Sequence, residues 1–192
     1  MKWAWTGETK VEFGVTLRRI KRCDTGEVGG WLEKETNLSM SGDAWVSGNA
    51  QVYGDAQVYG DAQVYGDAWV SGNARVSGNA RVSGDAWVSG NARVSGNARV
   101  SGNARVSGNA QVSFYATCQN VHTGTHNITV TETTIQVGCQ NWTWVEALRI
   151  TPKRAEKFGV DLHNYRMIRS TVKALIALVK FVKPEGDKHE SK

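Results

Sequence analysis

A six-residue repeat occupies the middle of this chain of 192 residues and constrains its fold more than any other feature. Valine recurs at every sixth position from Val46 to Val112, alanine stands two positions before each valine, and glycine with Asn or Asp follows. A period of six does not fit the turn of an α-helix, but it fits short strands whose alternate side chains point to one side. Glycine, Asn and Asp tolerate left-handed backbone angles and suit a tight corner. The pattern predicts a chain that coils around an apolar axis of Ala and Val side chains.

The repeating unit, Gly-Asn/Asp-Ala-X-Val-Ser/Tyr, resembles the hexapeptide-repeat superfamily of left-handed parallel β-helices. The resemblance implies a mainly β fold, a triangular prism of four to five coils with about 18 residues in each. The perfect repeats cover residues 44–113, and weaker units extend them to 38–119. Leu38 and Met40 are expected in the Ala and Val positions before the first unit, and Ala116 and Cys118 in those after the last.

The sequences that flank the repeat carry a narrower resemblance. Gly29-Gly30-Trp31-Leu32-Glu33 before the coils and Thr134-Ile135-Gln136-Val137-Gly138-Cys139-Gln140 after them are similar to phage and prophage hexapeptide proteins. This resemblance implies a phage or bacterial origin and a cytoplasmic setting. The cysteine content is consistent with that setting, because three cysteines without a spaced framework favour a reducing compartment.

Five segments are predicted along the chain. They are an N-terminal strand cap over 1–37, the β-helix over 38–119, a β-hairpin cap over 120–150, helices over 151–183 and a disordered tail over 184–192. In the first segment, strands within 9–33 should cover the first coil, with Trp31 and Leu32 closing its end. In the fourth, Thr151-Pro152 should start one helix, and an amphipathic helix should run from about 161 to 182.

The residue between Ala and Val points outward. Because three repeats complete one coil, every third repeat contributes to the same row, and each face of the prism carries one row. Neighbouring residues of a row lie about 4.8 Å apart, one coil from the next. The three rows are Trp45, Gln63, Arg81 and Arg99 on the first face, Gln51, Trp69, Trp87 and Arg105 on the second face, and Gln57, Arg75, Arg93 and Gln111 on the third face. Two pairs of arginines thus stack in neighbouring coils, which is unfavourable unless a subunit, solvent or an anion offsets the charge. Trp69 beside Trp87 makes an apolar patch typical of an interface.

These rows predict a ligand site. Arginine offers a planar fork for phosphate or carboxylate, and aromatic rings offer a stacking surface for a base. The candidate ligand-binding residues are Arg75, Arg81, Arg93, Arg99, Arg105, Trp69, Trp87 and Tyr53. Because the resembling family commonly forms parallel homotrimers, we expect a homotrimer with a small anionic, nucleotide-like ligand in the grooves between subunits. Sequestration of a host immune nucleotide would be one such role.

Two other classes of function stay open. A structural phage protein, or one that binds a host protein, would use the same flat faces for protein contacts. An acyltransferase of the resembling superfamily would use a histidine on a loop as a base. Residues 44–113 contain neither a histidine nor such a loop, and His122 and His126 lie beyond them. One His-X3-His pair without a third ligand falls short of a zinc site, so we expect no catalytic residue, no metal and no cofactor.

The net charge of +5 is concentrated at the C-terminus. Residues 120–192 carry 11 Lys and Arg against 7 Asp and Glu. A solvated basic helix face explains that excess more simply than a nucleic-acid site does. The sequence has no run of about 18 apolar residues, so a membrane span is not expected.

Overall fold

The computed structural model is a mainly β protein built on a parallel β-solenoid of five coils. It describes residues 1–113, 117–122, 127–130, 134–137, 140–157, 165–166, 169–170, 172–174 and 177. The predicted parallel β-helix fold is confirmed, while the left-handed sense of its winding stays a prediction.

Three antiparallel strands precede the coils: β1 (Trp3–Glu12), β2 (Val15–Arg22) and β3 (Val28–Leu32), followed by the 3-10 helix Glu35–Asn37. Strand β3 pairs in parallel with the first strand of the second face, so that β1 and β2 continue this sheet. Trp3 and Ile20 are almost fully buried and belong to the core at this end, together with the buried Trp45 of the outward row on the first face. The prediction that Trp31 closes this end is wrong, because Trp31 lies in the outward row of the second face, in register with Gln51.

Twelve strands of two residues each form the coils. They are β4 (Trp45–Val46), β5 (Gln51–Val52), β6 (Gln57–Val58), β7 (Gln63–Val64), β8 (Trp69–Val70), β9 (Arg75–Val76), β10 (Arg81–Val82), β11 (Trp87–Val88), β12 (Arg93–Val94), β13 (Arg99–Val100), β14 (Arg105–Val106) and β15 (Gln111–Val112). A glycine with positive φ follows each strand from β4 to β14, for example Gly60 at 70°. This angle turns the chain at each corner of the prism. Glycine occupies these positions because residues with a Cβ rarely adopt such an angle.

Each strand from β4 to β12 pairs in parallel with the strand three repeats further along the chain, as the sequence pattern predicts. Trp87 is in register with both Trp69 and Arg105, and Arg81 with Arg99. Every repeat alanine and valine is buried, with at most 2% of its surface exposed. Each buried valine contributes about 1.5–3 kcal/mol to stability, so the internal Ala and Val stack holds the coils together.

The first coil forms without the repeat sequence. Leu32 pairs with Val52 and Leu38 with Val58, so these two leucines begin the valine rows of the second and third faces. The expected placement of Leu38 and Met40 is therefore wrong, because Leu38 takes a valine position and Met40 is 43% exposed. The step from Leu38 to Val58 is two residues longer than the regular step from Val58 to Val76, and the two extra residues lie between Leu38 and Val46.

After the coils, β16 (Thr117–His122), β17 (Asn127–Val130), β18 (Thr134–Val137) and β19 (Gln140–Thr143) form an antiparallel extension of the first face. The predicted hairpin is present, with Val130 paired with Ile135, and its turn at 131–133 lies outside the described residues. Cys118 takes the valine position expected for it, opposite Val100.

Two short helices follow, α1 (Trp144–Arg149) and α2 (Pro152–Glu156). Thr151 caps α2 with proline at its start, as predicted, whereas α1 was not predicted. Parts of the predicted helix over 161–182 are helical, at 165–166, 169–170, 172–174 and 177. Its other residues and the predicted tail over 184–192 lie outside the described residues.

Candidate anion-binding faces

The first face presents two arginines in neighbouring coils. Arg81 and Arg99 are in register on β10 and β13, and both side chains are exposed. Their outward direction follows from the strand, because the flanking Ala and Val occupy the core. Neighbouring strands are about 4.7–4.9 Å apart, so the two guanidinium groups can approach one bound anion together.

The third face repeats this arrangement. Arg75 and Arg93 are in register on β9 and β12, and both are exposed. Gln57 and Gln111 lie in the coils below and above them. The predicted like-charge pairs therefore exist on two separate faces.

None of these four arginines forms an ion pair within the part of the chain that the structure describes. The ion pairs found there join Lys10 to Glu12, Arg19 to Glu8, Arg22 to Glu27 and Lys34 to Asp55. Like charges in register on neighbouring strands destabilise a sheet. An anion bound between Arg75 and Arg93, or between Arg81 and Arg99, would remove that cost.

The second face presents an aromatic row instead. The rings of Trp69 and Trp87 lie with their centroids 5.3 Å apart and are tilted by 51°. The guanidinium of Arg105 lies 5.5 Å from the ring centroid of Trp87, within cation–π range. Both tryptophans are half-buried and Arg105 is exposed. This row joins an apolar surface to a positive charge.

The hairpin of β1 and β2 reaches this row with its tip. The ring of Phe13 meets that of Trp69 edge-on at 4.7 Å. Phe13 has a φ of 52° and Gly14 one of 75°, so both tip residues are left-handed, as a two-residue hairpin turn of type I′ requires. Phe13 is still 71% exposed and the neighbouring Val11 69% exposed, so the hairpin adds apolar surface beside the tryptophans.

The comparison with family models agrees with this architecture. The model described as YdcK Beta solenoid repeat matches residues 50–66, 56–72, 62–77, 74–90, 86–100 and 98–113. The chain is a β-solenoid repeat protein. The matched stretches span about one third of the chain and contain all eight candidate site residues. Seven of these residues lie in the strand rows, and Tyr53 follows β5. The comparison with curated proteins finds no match.

One β-solenoid chain brings only part of the predicted site together. Trp69, Trp87 and Arg105 form a continuous row, and the half-buried Tyr53 lies one coil below, at an edge of the same face. Arg81 and Arg99 lie on the first face and Arg75 and Arg93 on the third. Neighbouring faces of a prism meet at a convex edge, so a concave site that combines rings with paired arginines needs a second subunit.

Sequence reasoning missed the contribution of the N-terminal segment to the second face. Lys10 and Arg19 lie over the ring of Trp31, with Nζ and Cζ at 4.7 and 5.3 Å from its centroid. Gln51 beside Trp31 is only 4% exposed. The alternation of Val11, Phe13 and Val15 indicated a strand, but nothing in it indicated that the hairpin tip would reach Trp69.

The other candidate sites considered from the sequence are the histidines beyond the coils and a metal site. His122 is in register with Asn127 in the β16–β17 pair, and His126 lies outside the described residues. Within the described ranges, no cluster of three His, Cys, Asp or Glu residues could hold a metal ion. The same ranges contain no helix that is long and apolar enough to span a bilayer.

Proposed function

We propose that this β-solenoid protein is a non-catalytic binding protein that captures a small anionic, nucleotide-like ligand in grooves between subunits of a homotrimer. One observation carries the proposal: arginines are paired in register on exposed strands, and no carboxylate among the described residues pairs with Arg81 or Arg99. A phosphate group would offset this repulsion with charge-assisted hydrogen bonds, which are the strongest kind in proteins.

The aromatic row supports a nucleotide rather than a simple anion. The tilted rings of Trp69 and Trp87 provide a stacking surface for a base, and Arg105 at the end of the row provides positive charge. Because the paired arginines and the rings lie on different faces, a ligand that uses both must lie between two subunits. A parallel three-fold assembly, which the hexapeptide-repeat resemblance implies, would pack the second face of each subunit near the first face of the next and form three such grooves.

The phage origin, the cytoplasmic location and the sequestration of a host immune nucleotide belong to the same proposal. They rest on the resemblance of the sequences that flank the coils, and a protein that binds without reacting suits such a role.

Native mass spectrometry with a panel of linear and cyclic nucleotides and coenzyme A tests this function. We expect a trimer that gains three nucleotide masses, and no gain in the double variant Arg81→Glu, Arg99→Glu with its fold retained by circular dichroism. Lys153→Glu, on an exposed position of α2, is the matched charge-reversal control and should bind normally. Binding that survives loss of Arg81 and Arg99 would contradict the cleft, and a gain of coenzyme A alone would favour an acyltransferase.

The exposed hairpin tip favours one alternative, a structural or host-protein-binding role. Val11 and Phe13 extend the tryptophan row with apolar surface, and aromatic residues with Arg are enriched in the cores of protein interfaces. A trimer that binds none of the nucleotides, but retains one host protein in stoichiometric yield through Phe13, would favour this role.

A further inference from the structure

Among the described residues, the third face differs from the other two because only coil strands form its sheet. The sheets of the first and second faces continue into the terminal antiparallel strands, whereas the third is the four-stranded sheet β15-β12-β9-β6. Gln57, Arg75, Arg93 and Gln111 are all exposed along its centre. The proposed groove uses the first and second faces, so the third face has no role in it.

Charge changes sign along this face. Asp55 and Asp61 stand at its two edges in the coil of β6, on either side of Gln57, and Asp43 lies beside Asp61 in the coil before. In the next two coils the edges carry uncharged asparagines, for example Asn73 and Asn91 in a side-chain ladder of 3.2 Å, and the centre carries arginines. The face is thus acidic at the edges of its first half and basic at the centre of its second half.

We propose that the third face binds the third face of a second copy of this chain, with the two solenoid axes antiparallel. A two-fold axis that runs parallel to the strands, between β6 and β9, places each coil of β6 opposite the partner's coil of β9. The guanidinium of Arg75 from one copy then lies over Gln57 of the other copy, between its Asp55 and Asp61. Each contact occurs twice, as two-fold symmetry requires.

Side-chain size fits the same register. Tyr59, which is 39% exposed, follows β6, and Ser77 occupies the equivalent position after β9. Antiparallel pairing of the solenoids places the large Tyr59 of each copy opposite the small Ser77 of the other. A parallel pairing would instead place Arg75 opposite Arg75 and Arg93 opposite Arg93, which like charges disfavour.

Lys34 neutralises one of the two acidic groups at the edges of the β6 coil. Its Nζ lies 2.6 Å from Asp55 Oδ1, so Asp55 is already paired within the chain. Asp61 accepts a hydrogen bond from the backbone N–H of Asp43 at 3.1 Å, and no ion pair to it occurs in the described ranges. Asp61 is therefore the main partner that we assign to Arg75 of the second copy.

Sedimentation velocity of the full-length protein across a concentration series tests the contact. We expect the largest assembly at low salt to have twice the mass of the one at high salt, because about 0.5 M salt screens exposed charges. Arg75→Glu should weaken the pairing at least about tenfold, since Glu would then face Asp61. Lys153→Glu, on α2, is the matched control and should pair like the wild type.

A charge exchange decides the orientation. The double variant Arg75→Glu, Asp61→Arg recreates the opposite-charge contact only if these residues meet across an antiparallel interface, and it should recover pairing. Failure of the exchange to restore what Arg75→Glu loses would overturn the antiparallel register. A mass that depends on neither salt nor Arg75→Glu would overturn the contact altogether. Nucleotide binding is measured separately, with the double variant Arg81→Glu, Arg99→Glu, so failure of this contact and failure of the proposed function are distinguishable.

Discussion

Phe13 packs edge-on against Trp69, with ring centroids 4.7 Å apart, although the two residues lie in different parts of the fold. Phe13 forms the tip of the N-terminal hairpin, and Trp69 stands in the coil of β8. The contact ties the hairpin to the second face and lengthens the aromatic row of Trp69 and Trp87. It connects the segment before the coils with the surface that we propose for ligand binding.

Phe13→Ala should loosen the hairpin tip. Aromatic pairs contribute about 0.5–1.5 kcal/mol beyond burial, so amide hydrogen exchange at 15–17 should accelerate by roughly two- to twelvefold. Val11→Ala is the matched control, because Val11 is similarly exposed and lies on the same hairpin without being one of the paired rings. Equal acceleration in both variants would show that the ring contact does not hold the tip.

Asn37→Asp should destabilise the first coil strongly. Asn37 is fully buried, its Nδ2 donates to the carbonyl oxygens of Gly54 and Ala56 at 3.0 and 2.8 Å, and its Oδ1 accepts from the N–H of Lys34 at 2.9 Å. A carboxylate would face two carbonyl oxygens without a donor, so we expect the free energy of unfolding to fall by about 3 kcal/mol in denaturant titrations.

The exposed corner residue Asn79 provides the control for this substitution. Asn79→Asp should change the free energy of unfolding by less than about 0.5 kcal/mol, since aspartate already occupies the same corner position one coil earlier, at Asp61. Similar losses in both variants would mean that the buried hydrogen bonds of Asn37 contribute little.

The corner glycines should differ in their tolerance of alanine. Gly90 has a φ of 67°, and a Cβ there would lie 2.9 Å from the backbone nitrogen of Gly108 in the next coil. Gly102 has a φ of 61°, and no described atom comes within 4 Å of a Cβ built on it. Gly102→Ala should cost about 1 kcal/mol for its backbone angle alone, and Gly90→Ala clearly more, because the coils must also separate. Thermal unfolding of the two variants measures the difference. Equal losses of stability would contradict the expectation that a Cβ at Gly90 pushes the next coil away.

The Lys34–Asp55 ion pair should be visible in pH titrations. Its hydrogen bond, with Nζ and Oδ1 at 2.6 Å, raises the pKa of Lys34 above 10.5 and lowers the pKa of Asp55 below 3.8. The contribution of the Asp55 carboxylate to folding stability is therefore lost as the pH falls through its lowered pKa. That of Lys34 is complete below its ordinary pKa and lost as the pH rises through its raised one.

Nuclear magnetic resonance of the Lys34 side chain measures this effect. Asp55→Asn should bring the pKa of Lys34 down toward its ordinary value, whereas Asp67→Asn, the same substitution at another corner of that coil, should leave it unchanged. A Lys34 pKa that does not respond to Asp55→Asn would contradict the pairing.

Much of the surface could be assigned from the sequence because the period of six leaves few choices. Once Ala and Val point inward, the residue between them must point outward, and three repeats to a coil place Arg81 beside Arg99 and Trp69 beside Trp87. The first coil could not be assigned in this way. Leu32 and Leu38 reach valine positions through a longer step to the next coil, which no local repeat specifies.

The sequence by itself determined the solenoid, its inward Ala and Val rows and the outward rows of arginine and tryptophan. Each coil contacts only its neighbours, so a local repeat is enough to specify it. Only the tertiary structure decided that the hairpin reaches Trp69, that Leu32 and Leu38 begin the core, and that none of the described terminal strands joins the sheet of the third face. These features depend on contacts between segments distant in sequence, where the packing of particular side chains rather than a period selects the arrangement.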